Sequence, residues 1–395
     1  MKHAARAAAL LALLGTAPAA YATSAAQAYV VAFRADTLPA AALTAKSPGE
    51  FSAALNLPAE VQMTRPLTEG TFATVLSPAA LAHLSADPRV ASIEPDQTVQ
   101  INPILNVAAK RPASGVTWGL DRVNQVQLPL DHTFGAQRSG AGVRVYVLDT
   151  GIRAAHAELR GRVDAGWSAV QDGRGTDDCN GHGTHVAGTI GGQNVGLARG
   201  VTLVPVRVLD CNGQGHLSDI LAGLEWVRTH RQGPSVVNLS LGADVSPALD
   251  EAVTRLWQAG VTVIVAAGNN AADACTQSPA HAPKVIAVGA STPDDRRAPF
   301  SNFGPCVKIY APGDHIESAS ARGDQATSVM SGTSMAAPHV AAYSALLLHI
   351  NPFLTPDQVE RELLARATLG ALTDTRSGPN RLLYVPDCRI CTQVK

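Results

Sequence analysis

The run Gly142-Val143-Arg144-Val145-Tyr146-Val147-Leu148-Asp149-Thr150-Gly151 is apolar, rich in β-branched residues, and ends on an acid and a turn. A run of this kind, without polar alternation, suits a strand buried on both faces of a parallel sheet. Four similar runs follow, at 203–208, 236–241, 261–266 and 285–288. Helical stretches lie between them, at 182–190, 217–229 and 248–259. This alternation predicts an α/β fold, a parallel sheet with helices on both faces. Ligands of such sheets bind at the carboxyl ends of the strands, which is where Asp149 falls.

Three further stretches carry residues of the same chemical interest. Asn180-Gly181-His182-Gly183-Thr184-His185-Val186-Ala187-Gly188 reads as a glycine-rich entry into a helix of small residues. Ser331-Gly332-Thr333-Ser334-Met335-Ala336-Ala337-Pro338-His339-Val340 feeds an apolar helix over 340–350, which puts Ser334 near a helix N-terminus. Free N–H groups and the positive end of the macrodipole favour negative charge there. A serine so placed can attack a carbonyl and have the oxyanion held nearby. Val263-Ile264-Val265-Ala266-Ala267-Gly268-Asn269 ends a strand on an amide, a donor suited to the same oxyanion. Alone, each piece has a bland reading: a turn aspartate, a satisfied histidine, an N-cap serine. An acid, a histidine and a serine together, with flanking glycines, point to nucleophilic catalysis. A lipase-type elbow would need G-x-S-x-G and a zinc peptidase H-E-x-x-H; neither is present.

DTG at Asp149, GHGTHVAG at His182, AAGN at Asn269 and SGTSMAAPHVA at Ser334 resemble the subtilisin-like serine proteases, and the order Asp, His, Ser is the subtilisin order. The resemblance is closer to the proteinase K branch and to aqualysin-type secreted enzymes. It rests on Trp118-Gly119-Leu120-Asp121-Arg122, on 206–213 and on 379–384, and spans about 118–384. It implies a serine endopeptidase with Ser334 as nucleophile, His182 as base, Asp149 orienting the imidazole, and Asn269 with the Ser334 N–H as oxyanion donors. It also implies two strand-like substrate edges, Gly213-Gln214-Gly215 and Ser240-Leu241-Gly242. Ala266-Ala267-Gly268 would line a pocket for an apolar or aromatic residue before the cut. A catalytically dead binding module or a peptide ligase would share these motifs, and only assay or product analysis separates them.

The chain has 395 residues, 46% hydrophobic and 16% charged, with a net charge of −1. This is enough for one large domain and a smaller one, and it argues against nucleic acid or an anionic membrane as partner. Residues 1–22 read as a secretory signal: Lys2 and Arg6, an apolar core over 7–14, and the cleavage-type Ala20-Tyr21-Ala22. The apolar run is too short to span a membrane as an anchor. Export makes disulfides plausible for Cys179, Cys211, Cys275, Cys306, Cys388 and Cys391. The resemblance selects Cys179–Cys211 and Cys275–Cys306. It leaves Cys388 and Cys391 as a short bridge or as free thiols.

Residues 23–100 show strands at 29–33, 72–76 and 90–96 and a helix over 77–87. The pattern resembles the inhibitor-type propeptide of subtilisins, a small α+β (ferredoxin-like) domain. In that family it assists folding, blocks the cleft and is removed by the enzyme itself. Residues 101–116 read as a linker holding the maturation site, and 117–395 as the peptidase domain of a monomer acting on proteins and peptides. The chemistry needs no cofactor. Structural calcium is the remaining question. The family site after Phe300-Ser301-Asn302 has Lys308 in place of its aspartate, so it is expected to be lost, with the ammonium free to donate to the carbonyls of Pro283 and Val285. Two other sites of the subgroup would use Asp121, Asn124 and Gln125, and Asp172 with Asp177, although surface carboxylates are usually just solvated.

Overall fold

The computed structural model describes residues 26–43, 45, 47–61, 63–101, 115–135 and 139–386. The signal segment, most of the linker and the pair Cys388 and Cys391 lie outside them. Among the described residues a nine-stranded sheet runs in the order Thr368–Leu369, Arg381–Leu382, Val307–Pro312, Ile286–Ser291, Thr262–Ala266, Ser235–Leu239, Arg144–Asp149, Thr202–Arg207 and Trp167–Ser168. Every neighbouring pair is parallel except Thr368–Leu369 with Arg381–Leu382.

The alternation of side chains explains why the strands read as unbroken apolar runs. Val145 and Val147 enter one core with Val236, Ile264 and Val288, while Tyr146 and Leu148 enter the other with Val237, Val263 and Ala287. Both faces are covered, so both parities must be apolar. Helices His182–Gly191 and Thr333–Ile350 cover the first face; Leu217–His230 and Pro247–Gln258 cover the second. The chain enters at Arg144–Asp149, builds one side through Thr202–Arg207, then crosses to Ser235–Leu239 and builds the other. The switch point therefore lies between Arg144–Asp149 and Ser235–Leu239, with Asp149 and Ser240 on its carboxyl rim.

One helix differs from expectation. It starts at Thr333 and not at Val340, and it runs through Pro338 to Ile350. A proline in a helix leaves the carbonyl four residues earlier without its donor. Here that carbonyl belongs to Ser334, and the Ser240 hydroxyl donates to it at 3.0 Å. The helix Pro356–Arg366, opened by a Thr355–Gln358 capping box, adds to the expected elements.

The N-terminal unit is a four-stranded antiparallel sheet in the order Met63–Thr68, Thr71–Leu76, Gln27–Phe33, Val90–Pro95, around its own core of Val31, Phe33, Phe51, Phe72 and Leu84. Helices Pro48–Ala54 and Pro78–Ser85 connect the strands, each opened by a serine cap and a proline. Val90–Pro95 does not end the unit's contacts. Glu94 accepts the Ala248 N–H at 3.0 Å at the start of helix Pro247–Gln258. Asp96 accepts the Ser218 N–H at 2.8 Å and the Ser218 hydroxyl at 2.7 Å at the start of helix Leu217–His230. Arg65 pairs with Asp219 at 2.9 Å. Two carboxylates therefore sit at two helix N-termini, where the free N–H groups favour them.

Candidate active site

Asp149 closes its strand and His182 opens its helix, and both are buried. His182 Nδ1 lies 2.7 and 2.8 Å from the two Asp149 oxygens. That bond puts the imidazole proton on Nδ1 and leaves Nε2 as the basic nitrogen. Nε2 is buried and has no hydrogen-bond partner. The approach depends on Gly183, where a Cβ would collide with the Gly151 carbonyl and lie 3.2 Å from the Asp149 Cβ. Any side chain there would push the helix off the strand end.

Ser334 is the second residue of its helix and is nearly buried. Its hydroxyl donates to the Ser240 carbonyl at 3.1 Å and not to His182. Asn269 follows the strand Thr262–Ala266, and its Oδ1 accepts both the Thr333 N–H and the Thr333 hydroxyl at 2.8 Å. Thr333 Oγ1 in turn accepts the Gly268 N–H at 3.1 Å. With its acceptor end held by Thr333, the Asn269 amide presents Nδ2 toward Gly332, where a Cβ would be 3.3 Å away. Sequence reasoning passed over Thr333, whose only signal was its place beside Ser334.

The two predicted substrate edges are brought together, with a strand between them. Thr98–Gln100 pairs antiparallel with Gln214–His216, and the Ile101 N–H donates to the Gly213 carbonyl at 3.0 Å. Gln100 is bridged to Gly242 on the other edge. Gly213 has φ +75°, which favours glycine, and a Cβ there would lie 2.5 Å from the Ile101 side chain, which would have to shift. Residues 98–100 are thus strand, and Ile101, the first residue of the expected linker, is still tied to the Gly213 carbonyl. Leu241 is turned into the second core. Ala266, Ala267 and Gly268 are buried, and the carbonyls of Ala267 and Gly268 each accept from Asn302 at 2.9 Å. Asn302 Nδ2 also reaches Gln277 Oε1 at 3.0 Å, a latch that the sequence did not reveal.

The other histidines of the motifs are kept neutral. Burial, then the nearby His182, lowers His185 to about 3. Its Nε2 donates to the carbonyls of Ile316 and Ser328 at 2.9 and 3.1 Å. Burial lowers His339 to about 4, consistent with a packing role.

The expected calcium ligands divide. Asp121 is buried, with Oδ1 lacking any partner, and Asn124 Oδ1 is likewise buried and unpartnered. Burial raises the Asp121 carboxyl, and the neighbouring Asp131 adds to the rise. Two orphaned oxygens beside a second carboxylate fit a hard cation. Gln125 is engaged within the same loop: Nε2 donates to the carbonyls of Gln127 and Pro129 at 2.6 and 2.8 Å. Its Oε1 accepts the Asp131 N–H at 3.2 Å. Asp172 is committed elsewhere as well. Both its oxygens are taken by the buried Arg207, at 2.7 and 2.8 Å, which holds the carboxyl well below the usual range. Asp177 is left exposed without it. Lys308 Nζ lies 3.7 Å from Glu360, so its ion pair is with the helix Pro356–Arg366 and not with the Pro283 and Val285 carbonyls.

Cys179–Cys211 and Cys275–Cys306 are bonded as the resemblance implied. The profile of the Subtilase family (Peptidase S8) matches residues 140–383. The chain is 52% identical over 307 residues to an extracellular serine proteinase of Thermus sp. (strain Rt41A), covering 78% of this chain and 73% of that protein. It is 48% identical over 313 residues to alkaline serine exoprotease A of Vibrio alginolyticus, covering 79% of this chain and 58% of that protein. The crystal structure of a cold adapted subtilisin-like serine proteinase superposes with a TM-score of 0.67 at 48% identity, covering 68% of this chain and 98% of that one. The chain belongs to the subtilase family of serine endopeptidases.

Proposed function

We propose that this chain is a secreted precursor of a serine endopeptidase that hydrolyses peptide bonds through Asp149, His182 and Ser334. The observation that carries the reading is the pair of short Asp149–His182 contacts, 2.7 and 2.8 Å, with a serine in the first turn of a helix that packs against the histidine's helix. A rotation of the Ser334 side chain away from the Ser240 carbonyl would present its proton to His182 Nε2, whose lone pair is free. Ser334 then attacks the scissile carbonyl, and His182 takes the proton and returns it to the leaving amine. Asp149 stabilises the imidazolium between these steps. The developing oxyanion is held by Asn269 Nδ2 and the Ser334 N–H, and losing one such donor typically costs about 10²–10³ in turnover. Water then resolves the acyl-enzyme by the same route.

Substrates bind by adding a strand between Gly213-Gln214-Gly215 and Ser240-Leu241-Gly242, the position that Thr98–Gln100 occupies here. Ala266-Ala267-Gly268 take an apolar or aromatic residue before the cut, with broad tolerance. Residues 23–100 act as a propeptide of ferredoxin-like connectivity. It inhibits by lending its own tail as that strand and is removed by the enzyme at a site within 101–116; residues 1–22 direct export. Support for secretion comes from the two disulfides and from the Thermus relative, which is named extracellular. The mature enzyme works as a monomer on proteins and peptides. Asp121 and Asn124, with Asp131 at hand, would hold a structural calcium, which serves stability and takes no part in the chemistry.

The test is to express the full chain and Ser334→Ala in an oxidising compartment. Mass is followed over time, together with hydrolysis of a peptide anilide carrying an aromatic residue before the cut. Wild type should lose its N-terminal segment and hydrolyse the anilide, and the variant should do neither. Residual turnover by the variant would refute the nucleophile, and silence of both folded proteins would refute the activity.

A further inference from the structure

We infer that Asp178 is a positioning residue that holds the strand bearing Asp149 and the helix bearing His182 in register, acting through the hydroxyls of Thr150 and Thr184. The inference deepens the triad reading above and rests on it. Asp178 is buried and accepts five hydrogen bonds. Its Oδ1 takes the Thr150 hydroxyl at 2.9 Å and the N–H groups of Asn180 and Gly181 at 2.9 and 2.8 Å. Its Oδ2 takes the N–H and the hydroxyl of Thr184 at 2.9 and 2.6 Å. No ion pair reaches it among the described residues.

The two threonines explain the function of this arrangement. A hydroxyl has one proton and two lone pairs. Because each hydroxyl proton goes to Asp178, the lone pairs must face donors, and both find one across the junction. Thr150 Oγ1, one residue after Asp149, accepts the Gly183 N–H, one residue after His182, at 2.9 Å. Thr184 Oγ1, on the histidine's helix, accepts the Arg153 N–H, on the loop after Asp149, at 3.0 Å. Two cross-links thus tie acid to base, one in each direction, and a single carboxylate sets the polarity of both. The Thr150 N–H also donates to Asp149 Oδ1 at 2.7 Å, so the same residue orients the acid. Two acceptor oxygens with no donor are what five donors require. An asparagine would turn its NH2 against either Thr184 or the Asn180–Gly181 turn.

Asp178→Asn is made in the full chain, and in the Ser334→Ala background for spectroscopy. In the active background we expect kcat to fall about 10- to 100-fold, as for a sub-ångström to ångström misplacement of reacting groups, with KM held within about twofold. In the Ser334→Ala background the far-downfield proton resonance of the Asp149–His182 hydrogen bond should shift or broaden while unfolding stays cooperative. A folded Asp178→Asn protein with kcat and that resonance both unchanged overturns the inference. If Asp178→Asn does not fold, Thr150 decides. Thr150→Val should lose about 10-fold in kcat and Thr150→Ser should keep both rate and resonance, since only the former removes the relay; equal behaviour of the two overturns it. The resonance is read without turnover. An inactive wild type whose Ser334 escapes a fluorophosphonate label would therefore sink the protease reading while leaving this one to the spectrum.

Discussion

Replacing Thr333 by valine keeps the shape of the side chain and removes one hydroxyl, which makes it a clean probe of how Asn269 is aimed. In the structure that hydroxyl has two duties: it accepts the Gly268 N–H at 3.1 Å and donates to Asn269 Oδ1 at 2.8 Å. After the change, Gly268 keeps a buried donor without a partner, which costs about 1–3 kcal/mol of stability. Asn269 keeps only the Thr333 N–H to orient it. Losing one neutral hydrogen bond of about 1 kcal/mol loosens the amide roughly fivefold. Full loss of an oxyanion donor sets the other limit, about 10²–10³. Turnover should therefore fall between about 5- and 100-fold. KM should hardly move, because on the proposed mechanism the donor meets charge that exists only in the transition state. Thr333→Ser should behave as wild type. The assay is steady-state hydrolysis of the peptide anilide alongside urea unfolding of the same variants in the Ser334→Ala background. A Thr333→Val enzyme with turnover within twofold of wild type and unchanged unfolding would refute the reasoning.

Acid should destabilise the fold through two histidines before the carboxylates matter. His185 and His339 sit at about 3 and about 4, below their unfolded value, so the unfolded chain binds more protons and stability is lost as pH falls from about 6.5. Each contributes up to about 1.4 kcal/mol per pH unit, offset in part by the raised carboxyls of Glu94 and Asp250, so His339→Gln should flatten the slope between pH 6 and 4.5. An unchanged slope would show that His339 is not held neutral. Asp121→Ala, or chelation of wild type, should lower the thermal midpoint, and a midpoint indifferent to both would remove the calcium assignment. Cys275→Ala with Cys306→Ala opens a loop with a sequence separation of 31 residues. Chain entropy predicts a loss of about 3–4 kcal/mol, so denaturant unfolding that moved by less than 1 kcal/mol would contradict it. Asp96→Ala removes the acceptor for both donors of Ser218 and should weaken inhibition by the added N-terminal segment at least tenfold. Unchanged inhibition would show that this helix-end contact does not hold the segment.

The parts legible in the sequence were those set by local pattern. The strand Arg144–Asp149 and its parallel neighbours announced themselves because both faces are buried, which forbids polar alternation. Asp149, His182 and Asn269 were visible because each ends, opens or closely follows an element next to glycines that permit close approach, as Gly183 does. Pro338 misled for an equally local reason: a proline argues against a helix around it. What rescues that turn is the Ser240 hydroxyl, 94 residues away, donating to the freed carbonyl.

Everything that depends on what a side chain meets at long range needed the tertiary structure. Asp172 carries the residue type of a calcium ligand, but the buried Arg207 at the end of the strand Thr202–Arg207 takes both its oxygens. Lys308 faces Glu360 on the helix Pro356–Arg366, about fifty residues further along the chain. Thr98–Gln100 looks like the end of a small domain and instead lies as a strand between two edges of a larger one. The sequence by itself determined the central parallel strands, the helices between them and the candidate reacting groups, because hydrophobic period and turn chemistry are properties of neighbours along the chain. Only the tertiary structure decided which acids are free, which are paired and which, like Asp178, aim the others. A hydrogen-bond partner is chosen by distance in space, and spacing along the chain does not encode it.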